Sequence, residues 1–225
     1  MTHLLGQTGW IAHCAPEFRA FVLAHLSELE VAPWGALTHA GDEDGGIYGL
    51  IEGQAAFVTT IGSPTTGLTH FGFPGSWWGQ APLLGVPRMG FATARTLCRV
   101  GVVPLRPLRA YLSANPLHWR DIALGYTDLF QAATGAHADA IIPDHSRRLA
   151  ATLLRLGGRR HRRYPIVAPA EYLCTQEELA GALGLARNTA GRLLRALVAT
   201  GLVRAAYGRV TLLDVPGLEA LADGA

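Results

Sequence analysis

The sequence predicts an α+β chain in three parts: an antiparallel β module, a long helix, and a helix-turn-helix closed by a β-wing. Three observations carry this. Residues 34–103 are short apolar or alternating runs cut by glycines, with turn signals roughly every ten residues, as in an antiparallel roll, sandwich or barrel. Ile122, Tyr126, Leu129, Ala133, Ala136 and Ala140 step by 4, 3, 4, 3 and 4, a heptad spacing. The stretch "TQEELAGALGLARNTAGRLL", residues 175–194, opens with a capping box, breaks at a glycine and continues as an arginine-studded helix.

The 225 residues allow one large domain or two small ones with a real core. Net charge is only +2 but unevenly spread: residues 1–143 carry 7 Arg against 10 acidic residues, and residues 144–225 carry 12 Arg against 7, with no Lys anywhere. Such a step predicts that the C-terminal part meets an anionic partner. Cys14, Cys98 and Cys174 lie far apart and show no metal-ligand spacing, a sparse set that fits a reducing cytoplasm. No apolar run approaches the ~18 residues of a membrane span, and the N-terminus lacks a basic region followed by an apolar one. A cytoplasmic chain with no membrane partner is expected.

Element by element, "PEFRAFVLAHLSELE" predicts a helix over residues 16–30 with Phe18, Phe21, Val22 and Leu26 on one side. Strands follow in "GALTHAGDEDGG", "IYGLIEGQAAFVTTIGSPTTG", "LTHFGFPGSWWG" and "RTLCRVGVVPL". Helical texture returns after Asn115-Pro116. The heptad seam fits a dimer contact, its C-terminal alanines permitting close approach, and it also fits a helix lying on its own domain; Gly125 and Gly135 weaken the helix either way. Pro143 ends it and Asp144 caps the next helix. That gives parts at 1–112, 113–143 and 144–225. "HSRRLAATLLRLG" is a further amphipathic helix, and the loop "GGRRHRRYPIVAPAEYL" after it is either phosphate-contacting or solvated.

Thr175 and Glu178 form the capping box of a helix that buries Leu179 and Leu183 and must end at Gly184. A second helix from about Ala186 buries Ala190, Leu193, Leu194 and Leu197. Ala180, Gly184, Ala190 and Leu193 stand where a helix-turn-helix needs a small contact residue, a turn glycine and two apolar contacts. "LVRAAYGRVTLL" then makes two short strands around Tyr207-Gly208-Arg209, a β-wing. Arg187, Asn188, Arg192 and Arg195 occupy the face opposite the leucines. In this motif that face enters the DNA major groove, where Arg forks onto guanine and Asn pairs with adenine; the bland reading is a solvated face. Catalytic signatures are missing: there is no nucleophile elbow, phosphate-cradling loop or paired carboxylates, and the β module offers only His39 and His70 without H-x-H spacing. Neither an enzyme nor a metal site is expected.

At these residues the chain resembles the CRP/FNR family of transcriptional regulators. Residues 175–194 follow the family's T-x-x-E-[IL]-[AG]-x-x-[LIVA]-G-x-[ST]-R-E-T-V-x-R-x-L pattern without a gap. "GALTHAGDEDGGIYGLIEGQAAF" is similar to its β-roll signature, and "GSWWGQAPLL" stands where the family carries "GDFFGELAL". The resemblance covers about residues 30 to 214. It implies an antiparallel, cupin-like β-roll as sensor, a dimerisation helix, and a winged helix-turn-helix. It further implies DNA contacts at Thr175, Gln176, Glu177, Arg187, Asn188, Thr189, Arg192, Arg195 and Arg209, and an effector pocket around Trp77, Gly79, Gln80 and Thr134. The implied partners are double-stranded DNA, a second copy of the chain, and RNA polymerase.

Departures from the family pattern bear on the effector. Members that bind cyclic nucleotides supply a Glu where this chain has Gln80, and an Arg-Ser pair where it has Gly90-Phe91. A buried cyclic phosphate without its arginine is an uncompensated charge costing several kcal/mol, so cyclic AMP is not the expected effector, although Arg88 or Arg95 (before Thr96) could supply the charge if the alignment slips. Three scattered cysteines do not suit the family's iron–sulfur sensing. Haem stays open through His39, His70 or Cys98, and a ligand-independent regulator with an architectural roll is the remaining alternative. Asn188 stands where the family carries a Glu accepting from cytosine, so the preferred half-site should change there, towards adenine.

Overall fold

The computed structural model describes residues 4–59 and 67–224. Two 3-10 turns, Leu4–Gly6 and Trp10–His13, lead into helix α1, Pro16–Ala24. The strands of the β module are β1 (Ser27–Val31), β2 (Ala36–Thr38), β3 (Gly46–Glu52), β4 (Ala55–Thr59), β5 (Gly67–Gly72), β6 (Trp77–Trp78), β7 (Gly90–Ala94) and β8 (Cys98–Pro104). They form two antiparallel sheets, ordered β1-β8-β3-β6 and β2-β7-β4-β5. This is the β-roll. The helix expected over residues 16–30 stops at Ala24, because Ser27–Val31 pairs with β8, Ser27 opposite Val102 and Val31 opposite Cys98. "SELEV" alternates polar and apolar residues, so its local pattern suits a strand, and pairing with β8 decides.

Leu50, Ala55, Trp78, Ala92, Ala94, Cys98 and Val100 make the core of the roll. A second cluster joins the N-terminal turns and α1 to the roll through Leu5, Trp10, Phe18, Ile47 and Val103. Helix α2, Leu105–Ala114, adds Leu108 and Leu112 to it. That helix lies in a stretch where no helix was expected before Asn115-Pro116; Pro107 falls in its first turn, where the missing N–H costs nothing. A boundary at 112/113 therefore falls inside α2. The long helix α3 runs Trp119–Ala140.

After Asp144, whose carboxylate accepts from Arg147 N at 2.8 Å as the expected cap, come α4 (His145–Leu156), β9 (Glu171–Leu173), α5 (Gln176–Leu183) and α6 (Arg187–Ala199). The wing strands β10 (Val203–Ala206) and β11 (Arg209–Leu212) pair with each other, and β11 also pairs with β9; α7 (Val215–Asp223) closes the chain. The core of this part holds Leu149, Leu153, Tyr172, Leu179, Leu194 and Leu218, and it is continuous with Phe71 and Phe73 of the roll. Two polar contacts fix that junction. The Gln54 amide donates to Leu173 O and accepts from Leu173 N, both at 2.8 Å, as a strand neighbour would. Arg95 pairs with Glu178 and lies over the Trp34 ring, 4.7 Å from its centroid.

Helix α3 has two unlike faces. Asp121, Ile122, Gly125, Gly135 and Asp139 are buried against the rest of the chain. Ile122 is 1% exposed within the N-terminal cluster, so it is not free to meet a partner and the expected seam loses its first member. Leu129 and Ala136 are only half exposed and turn towards a cavity described below. The more exposed stripe sits about a sixth of a turn further round, at roughly 100° per residue: Trp119, Ala123, Phe130, Ala133, His137, Ala140 and Ile141, with the half-buried Tyr126 among them and with Phe130 at 70% and Ile141 at 65% exposure. It keeps Tyr126, Ala133 and Ala140 of the expected seam and replaces the others.

Candidate nucleic-acid interface and interdomain cavity

The helix pair forms as its sequence requires. Thr175 Oγ1 accepts from Glu178 N at 3.1 Å while Thr175 N donates to the Glu178 carboxylate at 2.8 Å. Gly184 ends α5 at φ 64°, a left-handed turn that glycine adopts without strain. Ala180, Leu183, Ala190, Leu194 and Leu197 are buried between α5, α6 and α4. Their burial leaves the other face of α6 to solvent, and Arg187, Asn188, Arg192 and Arg195 are all exposed there. Thr189 is half-buried. A Cβ at Gly191 would stand 3.6 Å from both the Gln176 amide oxygen and Arg195 Nη1, so the start of α5 meets the middle of α6 on this same side. Gln176 and Glu177 are exposed, whereas Thr175 spends its hydroxyl on Glu178. In the wing, Arg209 is half exposed and reaches Glu171 at 3.3 Å. Glu171 also accepts from Thr211, and that bond followed by Arg209 lowers its pKa. The surface is an exposed row of hydrogen-bond forks on a helix, backed by a basic wing. It suits the edges of bases and flanking phosphates.

A second site lies where the roll, α3 and the segment following α4 meet. It is a cavity of about 830 Å³. Phe57, Leu68, Trp78, Phe91, Leu129 and Phe130 supply apolar walls, and Gly79 and Gln80 form part of one side as expected. The other two pocket residues expected from the sequence do not belong. Trp77 turns into the cluster of Trp10 and Leu5, with Trp10 6.1 Å away, and Thr134 is exposed with its hydroxyl bonded back to Phe130 O. Alternation along β6 explains the first: Trp78 and Trp77 point to opposite faces. Gln80 is 2% exposed, and neither its amide oxygen nor its nitrogen has a hydrogen-bond partner. The Tyr126 hydroxyl lacks one too.

Much of the loop "GGRRHRRYP" turns inward. Asp139 of α3 is 1% exposed and gathers Arg155 at 3.4 Å, Arg160 at 3.1 Å and His161 at 2.9 Å. Arg155 also donates to Thr69 O at 3.0 Å and Arg162 to Phe71 O at 3.2 Å, which ties both to β5. Gly135 permits this approach, because a Cβ there would collide with the His161 ring. Arg159 and Arg163 remain exposed. Sequence reasoning missed this hub, and its only local signal was an acidic residue off the apolar seam of a long helix.

Titratable groups narrow the chemistry. Burial, followed by the positive fields of Arg162 and Arg155, pushes the His70 imidazole down to about 3. It lines the cavity neutral, stacked on Phe57 at 4.4 Å. A depressed histidine pKa means that the unfolded chain binds the proton more tightly, so stability falls as pH drops from about 6.5 towards 3. His70→Gln should flatten that acid limb in urea titrations at pH 4 to 7 (roughly the span over which the free imidazole takes up its proton). An unchanged limb would contradict the assignment. His39 is instead an exposed turn residue near Asp42, and Cys98 sits in the roll core, so neither joins His70 at the cavity. All three thiols are buried; burial raises Cys14 and Cys98 and pushes Cys174 up to about 12, the reverse of a reactive thiolate. Among the described residues, no group of three or more His, Cys, Asp or Glu could hold a metal ion, and no helix is long and apolar enough to cross a membrane.

Comparisons with known proteins agree with this geometry. The family of Crp-like helix-turn-helix domains matches residues 147–221, α4 to α7. The transcriptional regulator SdrP of Thermus thermophilus is 30% identical over 155 residues, covering 67% of this chain and 70% of that protein. The crystal structure of TTHA1359, a CRP/FNR-family transcriptional regulator of Thermus thermophilus, superposes with a TM-score of 0.58 at 25% identity, over 88% of this chain and 98% of that one. TTHB099, a CRP-family regulator of the same organism, shares the fold with a TM-score of 0.65 at 22% identity, over 87% and 96%. With an antiparallel roll, a long helix and an exposed basic α6 backed by a wing, this chain belongs to the CRP/FNR family of transcriptional regulators, and it binds DNA.

Proposed function

We propose that the protein is a homodimeric regulator of a two-fold symmetric operator, with α3 as the dimer seam and one α6 in each of two successive major grooves. The observation that carries this reading is the exposed apolar stripe of α3 centred on Phe130, which is 70% exposed beside a helix-turn-helix with its basic face open. A soluble helix leaves such a stripe bare only where something covers it. Dimer symmetry would then set the operator's symmetry and half-site spacing. Arg187, Asn188, Arg192 and Arg195 read bases, Gln176 and Glu177 flank them, and Arg209 meets the backbone. The three parts of the chain act as sensor, dimer helix and DNA-binding unit. Contact with RNA polymerase rests on the family resemblance alone.

The effector of this reading is not cyclic AMP. Gln80 lies on the cavity without a charge, and Gly90 and Phe91 line it where an arginine and a serine would be needed. Arg88 does reach the wall, but its terminal nitrogens are bonded to Asp44 O at 2.6 Å and Gly46 O at 2.8 Å. Arg95 is held by Glu178 at the domain junction, outside the cavity lining. Calorimetry should therefore give no cyclic AMP binding tighter than about 1 mM, the upper end of a weak site, and operator affinity should not change when it is added. Micromolar binding together with cyclic-AMP-dependent operator affinity would overturn this.

A further inference from the structure

The cavity has an uneven charge. Arg88, Arg155, Arg160 and Arg162 line it, and no Asp or Glu does. Three of the four are already committed: Arg88 to two backbone carbonyls, and Arg155 and Arg160 to Asp139. Arg162 differs. Its Nη2 donates to Phe71 O, and among the described residues it has no ion pair. Asp128 acts on it only through space while pairing its own oxygen with Arg163 N. Arg162 is half-buried on the cavity wall with donors to spare, and an anion in the cavity would complete them.

At the Gln80 end the polar groups without partners are uncharged, and the guanidinium of Arg88 beside them is spent on backbone carbonyls. Gln80 packs on α3 at Gly125, where a Cβ would stand 2.8 Å from Nε2, and Gln80 and Tyr126 both line the cavity. Both lack partners. Arg155 and Arg160 sit near the Asp139 end, Arg88 lies beside Gly79 at the other, and Arg162 falls between them, close to Asp128. From Tyr126 to His137, the limits of the α3 lining, the helix rises about 16 Å at roughly 1.5 Å per residue. Between the ends the wall is apolar and aromatic: Phe57, Phe91, Leu129 and Ala136. The volume is within the range of sites for drug-sized ligands.

We propose that the cavity takes an aromatic monoanion, its acidic group on Arg162 and its uncharged polar part hydrogen-bonded by Gln80 and Tyr126. This rests on the effector-controlled reading above and names the chemistry of its effector. Such a ligand touches the roll, α3 and the segment leading to α5 at once. Tyr126, Phe130, Ala133 and His137 belong both to the cavity wall and to the more exposed stripe of α3. Occupancy would therefore bias the dimer seam and the seating of the DNA-binding part together.

Two dyes of one shape test the charge requirement: 8-anilinonaphthalene-1-sulfonate, and N-phenyl-1-naphthylamine, which lacks the sulfonate. Each is titrated by fluorescence into the full-length protein. The expected result is one sulfonate dye per chain, bound at least about tenfold more tightly than the neutral dye, a difference of about 1.4 kcal/mol. Arg162→Gln should remove that advantage without weakening the neutral dye, and Arg162→Lys should restore part of it. Equal affinity of the two dyes for the wild-type protein overturns the proposal, as does an Arg162→Gln protein with a native circular dichroism spectrum and unchanged sulfonate binding. A Soret band in the purified protein would also overturn it in favour of haem. Operator binding without dye, measured in parallel, separates the two claims. Operator binding is measured with the sulfonate dye as well, and its absence in both states contradicts the regulator reading, whereas the dye titrations bear only on the ligand.

Discussion

Asp139→Asn is expected to lower the unfolding free energy by about 3–5 kcal/mol, the cost of removing one partner from a buried ion pair. Asp139 is 1% exposed and is the common charged partner of Arg155, Arg160 and His161. Asparagine keeps the shape and removes the charge, leaving two guanidinium groups close together in a site with little water. The consequences reach further than α3. Arg155 also holds Thr69 O of the roll, and Arg160 also pairs with Asp223 at 2.9 Å, at the end of α7. Urea unfolding followed by circular dichroism measures the change. Adding Arg160→Gln to Asp139→Asn should recover part of the loss, because it removes one of the stranded cations. A single-variant loss below about 0.5 kcal/mol, the range of an ordinary surface substitution, would show that the cluster is solvated and does not organise the junction.

Phe130→Glu should abolish dimerisation and weaken operator binding by more than about 100-fold, since each α6 would then bind without its tethered partner. The substitution places like charges across a two-fold axis in the apolar stripe. Because Phe130 is 70% exposed within the chain, the fold itself should survive. Leu129 is half-buried where Phe130 is mostly exposed, so Leu129→Glu would put its charge further into the cavity wall that both residues border. Sedimentation at micromolar concentration should show monomers with an unchanged thermal transition. A Phe130→Glu protein that remains dimeric and binds its operator as the wild type does would move the seam elsewhere.

How much of this was legible follows from the range of the interactions. The helix pair was readable because its determinants are local: Thr175 and Glu178 are three residues apart, and Gly184 alone sets the turn. The wing was readable from Gly208 between two short alternating runs. The position of the seam was not, because alanines on adjacent rows of a helix suit neighbouring stripes equally, and only the burial of Ile122 against Trp10 and Leu108 decides between them. The cavity was half legible. Gly79 and Gln80 follow from the motif, while Arg155 and Arg162 reach it through contacts with Thr69 and Phe71, 86 and 91 residues away. The arginine loop read as surface because nothing near it in sequence announces Asp139 as its partner.

The central claim is that α6 reads DNA sequence, and selection from random duplexes with the wild type, Arg192→Ala and Arg209→Ala tests it most directly. The wild type should select a two-fold symmetric motif with half-sites about 34–36 Å apart centre to centre, one helical turn. Arg192→Ala should cost about 1–3 kcal/mol and relax the preference at one base pair of each half-site. Arg209→Ala should keep the motif, weaken binding to every sequence and reduce the salt slope by up to about one unit, less if Glu171 already neutralises part of its charge. If Arg192→Ala selects the wild-type motif unchanged while Arg209→Ala alters it, the wing and not α6 lies in the major groove, and the account is contradicted.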